Sequence, residues 1–174
     1  MCRYGHECAR ATLALTLLFL APIDELDDDD DDGDGDGDGD GCGGVDEAVL
    51  QQQQQTLAGM RALDLGCGNG LFWCMLASAG VGRVVGLDYA DSAIELAGRV
   101  REVFAAAAGD RCVFEQKDVL GGAGVQGQYD LVHDCGLVDS VAMVRDAAVH
   151  EVAAVVARAL KPQGIFVCRS CNHR

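Results

Sequence analysis

The residues with the clearest chemical purpose are four acids at the ends of short apolar runs: Asp64, Asp88, Asp118 and Asp134. A single acid in such a place reads as a turn or helix-cap residue. Four in series describe the rim of a site. The first lies in LDLGCGNG, Leu63 to Gly70, where Gly66, Gly68, Asn69 and Gly70 form a turn that lets the backbone approach a ligand. A P-loop would need GxxxxGK[ST], and no lysine follows Gly70. A dinucleotide turn needs GxGxxG, and Leu71 stands where the third glycine belongs. What remains is GxGxG with Asp64 just before it. That acid would repel a pyrophosphate and suits a cation, such as the amino group and sulfonium of S-adenosylmethionine. A helix starting at Leu71 offers N–H groups and a positive dipole end to the same ligand's carboxylate. Asp88, 24 residues after Asp64, is placed to accept from both ribose hydroxyls. Tyr89 is placed to flank the adenine, Asp118 to accept from its amino group, and the Val119 N–H to donate to its ring.

These groups need a scaffold, and the pattern of the chain from Met60 onward supplies one. Strands are predicted over 61–65, 83–88, 112–116, 129–134 and 164–170. Helices are predicted over 71–80, over 91–108 with Asp91 as N-cap, and over 146–160, stopped before Pro162. Strands separated by helices imply a parallel sheet with helices on both faces. Ligands bind such sheets at the carboxyl ends of the strands, where the four acids fall.

Charge separates this part of the chain from what precedes it. The formal net charge is -15, yet residues 56–174 carry 11 Lys+Arg against 13 Asp+Glu, a net of -2. No basic nucleic-acid footprint exists. The acidity sits in Asp27 to Gly44, DDDDDDGDGDGDGDGCGG, a low-complexity run that cannot build a core. The organisation expected is an apolar segment over 1–23, a disordered Asp/Gly- and Gln-rich linker over 24–55, and a folded domain over 56–174. An EF-hand pattern can be traced through Asp36, Asp38, Asp40, Gly41 and Glu47, but Gly43 replaces the apolar anchor and no amphipathic helix enters it. An Asp-Gly repeat generates that spacing by accident.

Nine cysteines, scattered through apolar runs, suit buried thiols in a reducing compartment better than disulfides. Cys168, Cys171 and His173 lack a second well-formed ligand pair for zinc, the remaining cluster being Cys2, His6 and Cys8, so no metal site is expected. The run Ala11 to Ala21, preceded by Arg3 and Arg10, has the length of a signal-peptide core and is too short to span a bilayer. The expected location is the cytoplasm, without membrane attachment. The alternative is export or organelle import through residues 1–21.

As a set, ALDLGCGNG, VVGLDYADSAIELA, FEQKDVL and YDLVHDCG resemble the class I (seven-β-strand) S-adenosylmethionine-dependent methyltransferases, over Ala62 to about Ser170. The resemblance implies an α/β, Rossmann-like three-layer sandwich with a mainly parallel sheet, five of the usual seven strands being present. LDLGCGNGLF, GLDYADSAIELA, HDCGLVDSV and the terminal SCN resemble more narrowly the elongation factor 1-alpha lysine methyltransferases, the methyltransferase-like ten group. That family ends its fourth strand in a DKGTFDAI-like motif. Here Asp134, Gly136 and Asp139 match it, whereas Cys135 and Leu137 replace lysine and threonine. The family also has a segment before its first strand that helps close the site, and two strands beyond the fifth. A product truncated at both ends is therefore expected.

The resemblance implies a protein-lysine N-methyltransferase that uses S-adenosylmethionine, acts on elongation factor 1-alpha and works as a monomer. Asp134 is expected to orient the incoming ammonium, with Asp139 as a second catalytic acid or as a helix N-cap. Cys135 reads as a steric residue rather than a nucleophile, because no paired histidine is evident. The alternatives are a methyltransferase of the same fold acting on another protein or a small molecule, and an inactive cofactor-binding or interaction protein.

Overall fold

The computed structural model describes residues 47–120, 125, 127–145 and 147–170. The chain divides into two units, residues 1–55 and 56–174. The EF-hand acids Asp36, Asp38 and Asp40, the run Ala11 to Ala21, the cluster Cys2, His6 and Cys8, and Cys171 and His173 all lie outside the described residues.

Helix α1 (Glu47–Gly59) includes the glutamine run, which is helical where the sequence suggested a linker. Glutamine is a good helix former, and residues 47–58 contain neither glycine nor proline. Strand β1 (Arg61–Leu65) leads through the glycine turn into α2 (Leu71–Ser78). Strand β2 (Arg83–Asp88) leads into α3 (Asp91–Ala108), and a short 3₁₀ turn leads into β3 (Cys112–Gln116). Then come β4 (Tyr129–Cys135), α4 (Leu137–Val144), α5 (Ala147–Ala159) and β5 (Leu160–Arg169).

All five strands run parallel in the order β3-β2-β1-β4-β5. The order reverses between β1 and β4, which makes a switch point there. Alternation along β4 proves that helices cover both faces. Val132 joins the core cluster formed with Val152, Val155 and Val156 of α5, while the next residue, His133, stacks on Phe72 and Trp73 of α2. Each strand of the core thus serves two packed layers, and Leu63, Leu65, Val84 and Val132 are almost fully buried.

A helix cap, a strand start and one whole helix differ from the sequence reading. Helix α3 begins at Asp91 itself, behind Ala90, which makes no side-chain cap. The Ala90 N–H is instead taken by Oδ1 of Asp88 at 2.9 Å. Strand β5 begins at Leu160 rather than Gly164, because Leu160 pairs with Tyr129 and the ladder resumes at Ile165. The residues between form an irregularity at Pro162, which has no N–H for the ladder, and Gln163 turns left-handed there at φ 68. Helix α4 was not read from the sequence as an element.

Candidate active site

The glycine turn is built on β2. The N–H groups of Gly66 and Cys67 both donate to the Leu87 carbonyl, at 2.8 and 2.9 Å. The Gly68 N–H donates to Oδ2 of Asp88 at 2.9 Å. Asn69 turns its side chain inward on the chain, its Oδ1 accepting the Leu71 N–H at 3.1 Å and so serving the start of α2. Gly70 has φ 66, and a Cβ there would overlap the Phe114 ring, so only glycine fits. The loop is thereby fixed against β2 without using the cavity side of Asp88.

Beside the turn lies a cavity of about 330 Å³. One wall contains Gly66, Leu87, Asp88, Tyr89, Asp118 and Val119. Five of the cofactor-binding residues expected from the sequence therefore meet here: Gly66, Asp88, Tyr89, Asp118 and Val119. Asp88 has each carboxylate oxygen anchored by one backbone N–H, and the remaining lone pairs can accept hydroxyls. Asp118 accepts the Leu120 N–H on Oδ1 at 2.9 Å and is otherwise exposed. Tyr89 is 76% exposed at the mouth. Carboxylates separated by apolar Leu87, Val119 and Leu120 suit a nucleoside, whose hydroxyls and amine are polar and whose base is flat and apolar.

The opposite wall was missed from sequence. It comprises Leu137, Ser140, Val141 and Val144 of α4, then Arg145 and Ala148. The run LVDSVAMV carries apolar residues at helical spacing, and that signal was available; it is only eight residues long and was read as part of a motif.

The acids divide. Asp64 and Asp134 are 3% and 0% exposed and are absent from the cavity lining described. They also face opposite layers, since the register sets Asp64 beside His133 and Leu65 beside Asp134. The Asp64 Oδ1 lies 2.8 Å from His133 Nδ1. Burial pushes the Asp64 carboxyl up from its ordinary value, and His133 opposes that shift. Asp134 accepts the Leu137 N–H at 2.7 Å, the Val138 N–H at 3.3 Å and the Cys168 thiol at 3.3 Å. Its carboxylate serves the first turn of α4, which starts at Gly136 with φ 95. Asp139 lies inside that helix rather than at its cap, and its Oδ1 accepts the Ser170 hydroxyl at 2.6 Å.

The described cysteines, Cys67, Cys74, Cys112, Cys135 and Cys168, are free thiols. Burial, with Asp64 and Asp88 adding to it, pushes Cys67 up to about 12. Burial and then Asp134 push Cys168 up to about 11. Both are protonated at neutral pH, which fits Cys168 as a donor to Asp134. Among the described residues no group of three or more His, Cys, Asp or Glu could hold a metal ion, and no helix is long and apolar enough to cross a membrane.

Comparison with known proteins fits this geometry. Residues 57–174 match a family model described as methyltransferase domain. A protein-lysine N-methyltransferase of Saccharomyces cerevisiae (strain ATCC 204508 / S288c), EFM4, is 33% identical over 117 residues, covering 63% of this chain and 50% of the relative. Human EEF1A lysine methyltransferase 2 is 31% identical over 113 residues, covering 63% of this chain and 47% of the relative. The chain thus spans about half the length of the curated relatives it matches. Among solved structures, PKMT2 from Rickettsia typhi in complex with AdoHcy superposes with a TM-score of 0.55 at 22% identity, over 64% of this chain and 21% of that one, a likeness of fold.

Proposed function

The chain belongs to the methyltransferase-domain family, and from that premise we propose that it transfers a methyl group from S-adenosylmethionine to a lysine amine of a protein, elongation factor 1-alpha. The observation that carries the donor half of this reading is Asp88. It ends β2 on the cavity, braced by two backbone N–H groups and set against the glycine turn. The names of the yeast and human relatives support the acceptor half.

S-adenosylmethionine supplies an electrophilic methyl carried on a sulfonium. Asp88 accepts the ribose hydroxyls, Tyr89 covers the adenine, and Asp118 with the Val119 N–H takes its polar edge. The turn Gly66–Gly70 and the start of α2 face the amino acid end, with Asp64 buried at the end of β1 beside His133. Orientation of this kind is worth about 7–11 kcal/mol when both reactants are held in line. The acceptor amine must be neutral, yet lysine in water has a pKa of about 10.4. A wall of Leu137 and Val141 lowers that value by removing water around the ammonium. Asp134 takes part by fixing the first turn of α4, which carries that wall. Asp139 instead accepts the Ser170 hydroxyl and is not among the residues lining the cavity, so the amine is not assigned to it.

A second reading, transfer to another protein or to a small molecule, is favoured by Cys135 and Leu137, the two departures from the narrower family's motif. We place the protein in the cytoplasm as a monomer without nucleic acid, a location supported by its free thiols. Incubating the chain with labelled S-adenosylmethionine and purified elongation factor 1-alpha tests the proposal. Label is expected on a lysine of that protein. Label on small amines alone would favour the second reading, and label on neither would leave a binding protein without transferase activity.

A further inference from the structure

Strands β1 and β4 lie side by side at the switch point, and their register sets Asp64 opposite His133. Both side chains are buried, with Nδ1 of His133 at 2.8 Å from Oδ1 of Asp64. The imidazole is held from α2, where the ring centroids of Phe72 and Trp73 lie 5.1 and 5.4 Å from it. Those aromatics bring no charge. The Cys67 thiol in the turn, pushed up by burial and by Asp64 and Asp88, stays neutral. Burial works against ionised Asp64, His133 and then the Trp73 N–H work for it, and Asp134 on β4 adds like charge against it. Gly66, two residues beyond Asp64, lines the cavity.

Building on the methyl-donor reading above, we propose that His133 is a positioning residue that keeps Asp64 an anion beneath the glycine turn, tying affinity for the sulfonium donor to the protonation of a buried imidazole–carboxylate pair. With Nδ1–H of neutral His133 donating to Asp64, the pair carries one negative charge. One added proton makes it neutral, whichever partner holds it. The charge is buried, so its field reaches the cavity with little screening. A cation above the turn favours the deprotonated pair. Donor binding therefore releases a proton in the range where the pair titrates, and affinity falls as pH drops through that range. A merely structural pair would link α2 to the sheet without this proton.

Calorimetric titration of the full chain with S-adenosylmethionine and with S-adenosylhomocysteine separates the two. It is run at mildly alkaline and mildly acidic pH, in buffers of different ionisation enthalpy, with thermal melts to monitor the fold. Wild type is expected to bind the sulfonium donor more tightly at alkaline pH and to release a proton on binding. His133→Phe keeps a ring between Phe72 and Trp73 and loses the N–H. It should bind the donor about tenfold more weakly at neutral pH, shift proton release to higher pH, and narrow the preference for the sulfonium over the thioether. His133→Gln, which still donates an N–H, should recover most of the lost affinity. Equal losses for both ligands with unchanged proton release would overturn the proposal. So would wild-type binding without proton exchange, even if His133→Phe fails to fold. No donor binding by folded wild type would overturn the methyl-donor reading and this proposal together, whereas pH-independent binding overturns this proposal alone.

Discussion

Asp88 and Asp134 each lie at the carboxyl end of a parallel strand, at the same end of one sheet, and they do different work. Asp88 stays on the cavity because α3 starts beyond Tyr89 and Ala90, so the carboxylate can hold Ala90 and Gly68 and still face outward. Asp134 is followed by Cys135 and Gly136, and the left-handed glycine folds α4 back over the carboxylate. In this chain the two residues after a strand-end acid decide whether it stays on the cavity or anchors a helix. On the β1 to β3 side, Asp88 and Asp118 meet the cavity and Asp64 is buried beside His133. On the β4 and β5 side, apolar α4 residues meet it instead.

The comparison can be broken in four ways, from the largest effect down. Gly70→Val puts a branched side chain into the Phe114 ring at a left-handed φ, and should cost about 3 kcal/mol or more in denaturant unfolding. Asp88→Ala should weaken donor binding about a hundredfold in calorimetry, through lost charge-assisted bonds to ligand and loop. Asp134→Ala should instead appear as lost stability, about 1–2 kcal/mol, because the Leu137 and Val138 N–H groups lose their acceptor. Asp134→Asn, which retains an acceptor oxygen, should recover part of that loss. Donor affinity falling more than stability in Asp134→Ala would contradict the contrast drawn between the two acids.

The smallest effect lies on the far side of the sheet. Burial would raise the Asp130 carboxyl, but the Lys161 ammonium at 2.8 Å and the Arg61 N–H outweigh it and hold the carboxyl below its ordinary 3.8. A lowered folded pKa gives stability that is present above the ordinary value and lost as pH falls through the folded one. Both partners are about a third exposed, so the pair is worth at most about 1 kcal/mol. Asp130→Asn should cost that much at neutral pH in thermal melts and nothing in strong acid, with no change in donor binding.

Much of the fold was legible because local patterns determine it. Strands β1, β2 and β3 and helix α3 have the residues their apolar runs imply, and GxGxG with Asp88 located the turn and its support. What was not legible depends on phase and packing. Alternation tells which residues of one strand share a face, but the register between strands tells which faces coincide. Only the pairing of Asp64 with His133 separates Asp64 from Asp134 and dissolves the rim of four acids into two on the cavity and two in the interior. Helix α4 escaped notice because eight residues give barely two turns of periodicity. The glutamine helix escaped because biased composition was read as disorder, although glutamine itself favours helix.

The measurement closest to the central claim is a calorimetric titration of the folded chain with S-adenosylmethionine. The account expects saturable one-to-one binding that Asp88→Ala weakens about a hundredfold and Asp134→Asn largely keeps. A protein with an intact melting transition that takes up no S-adenosylmethionine would contradict it.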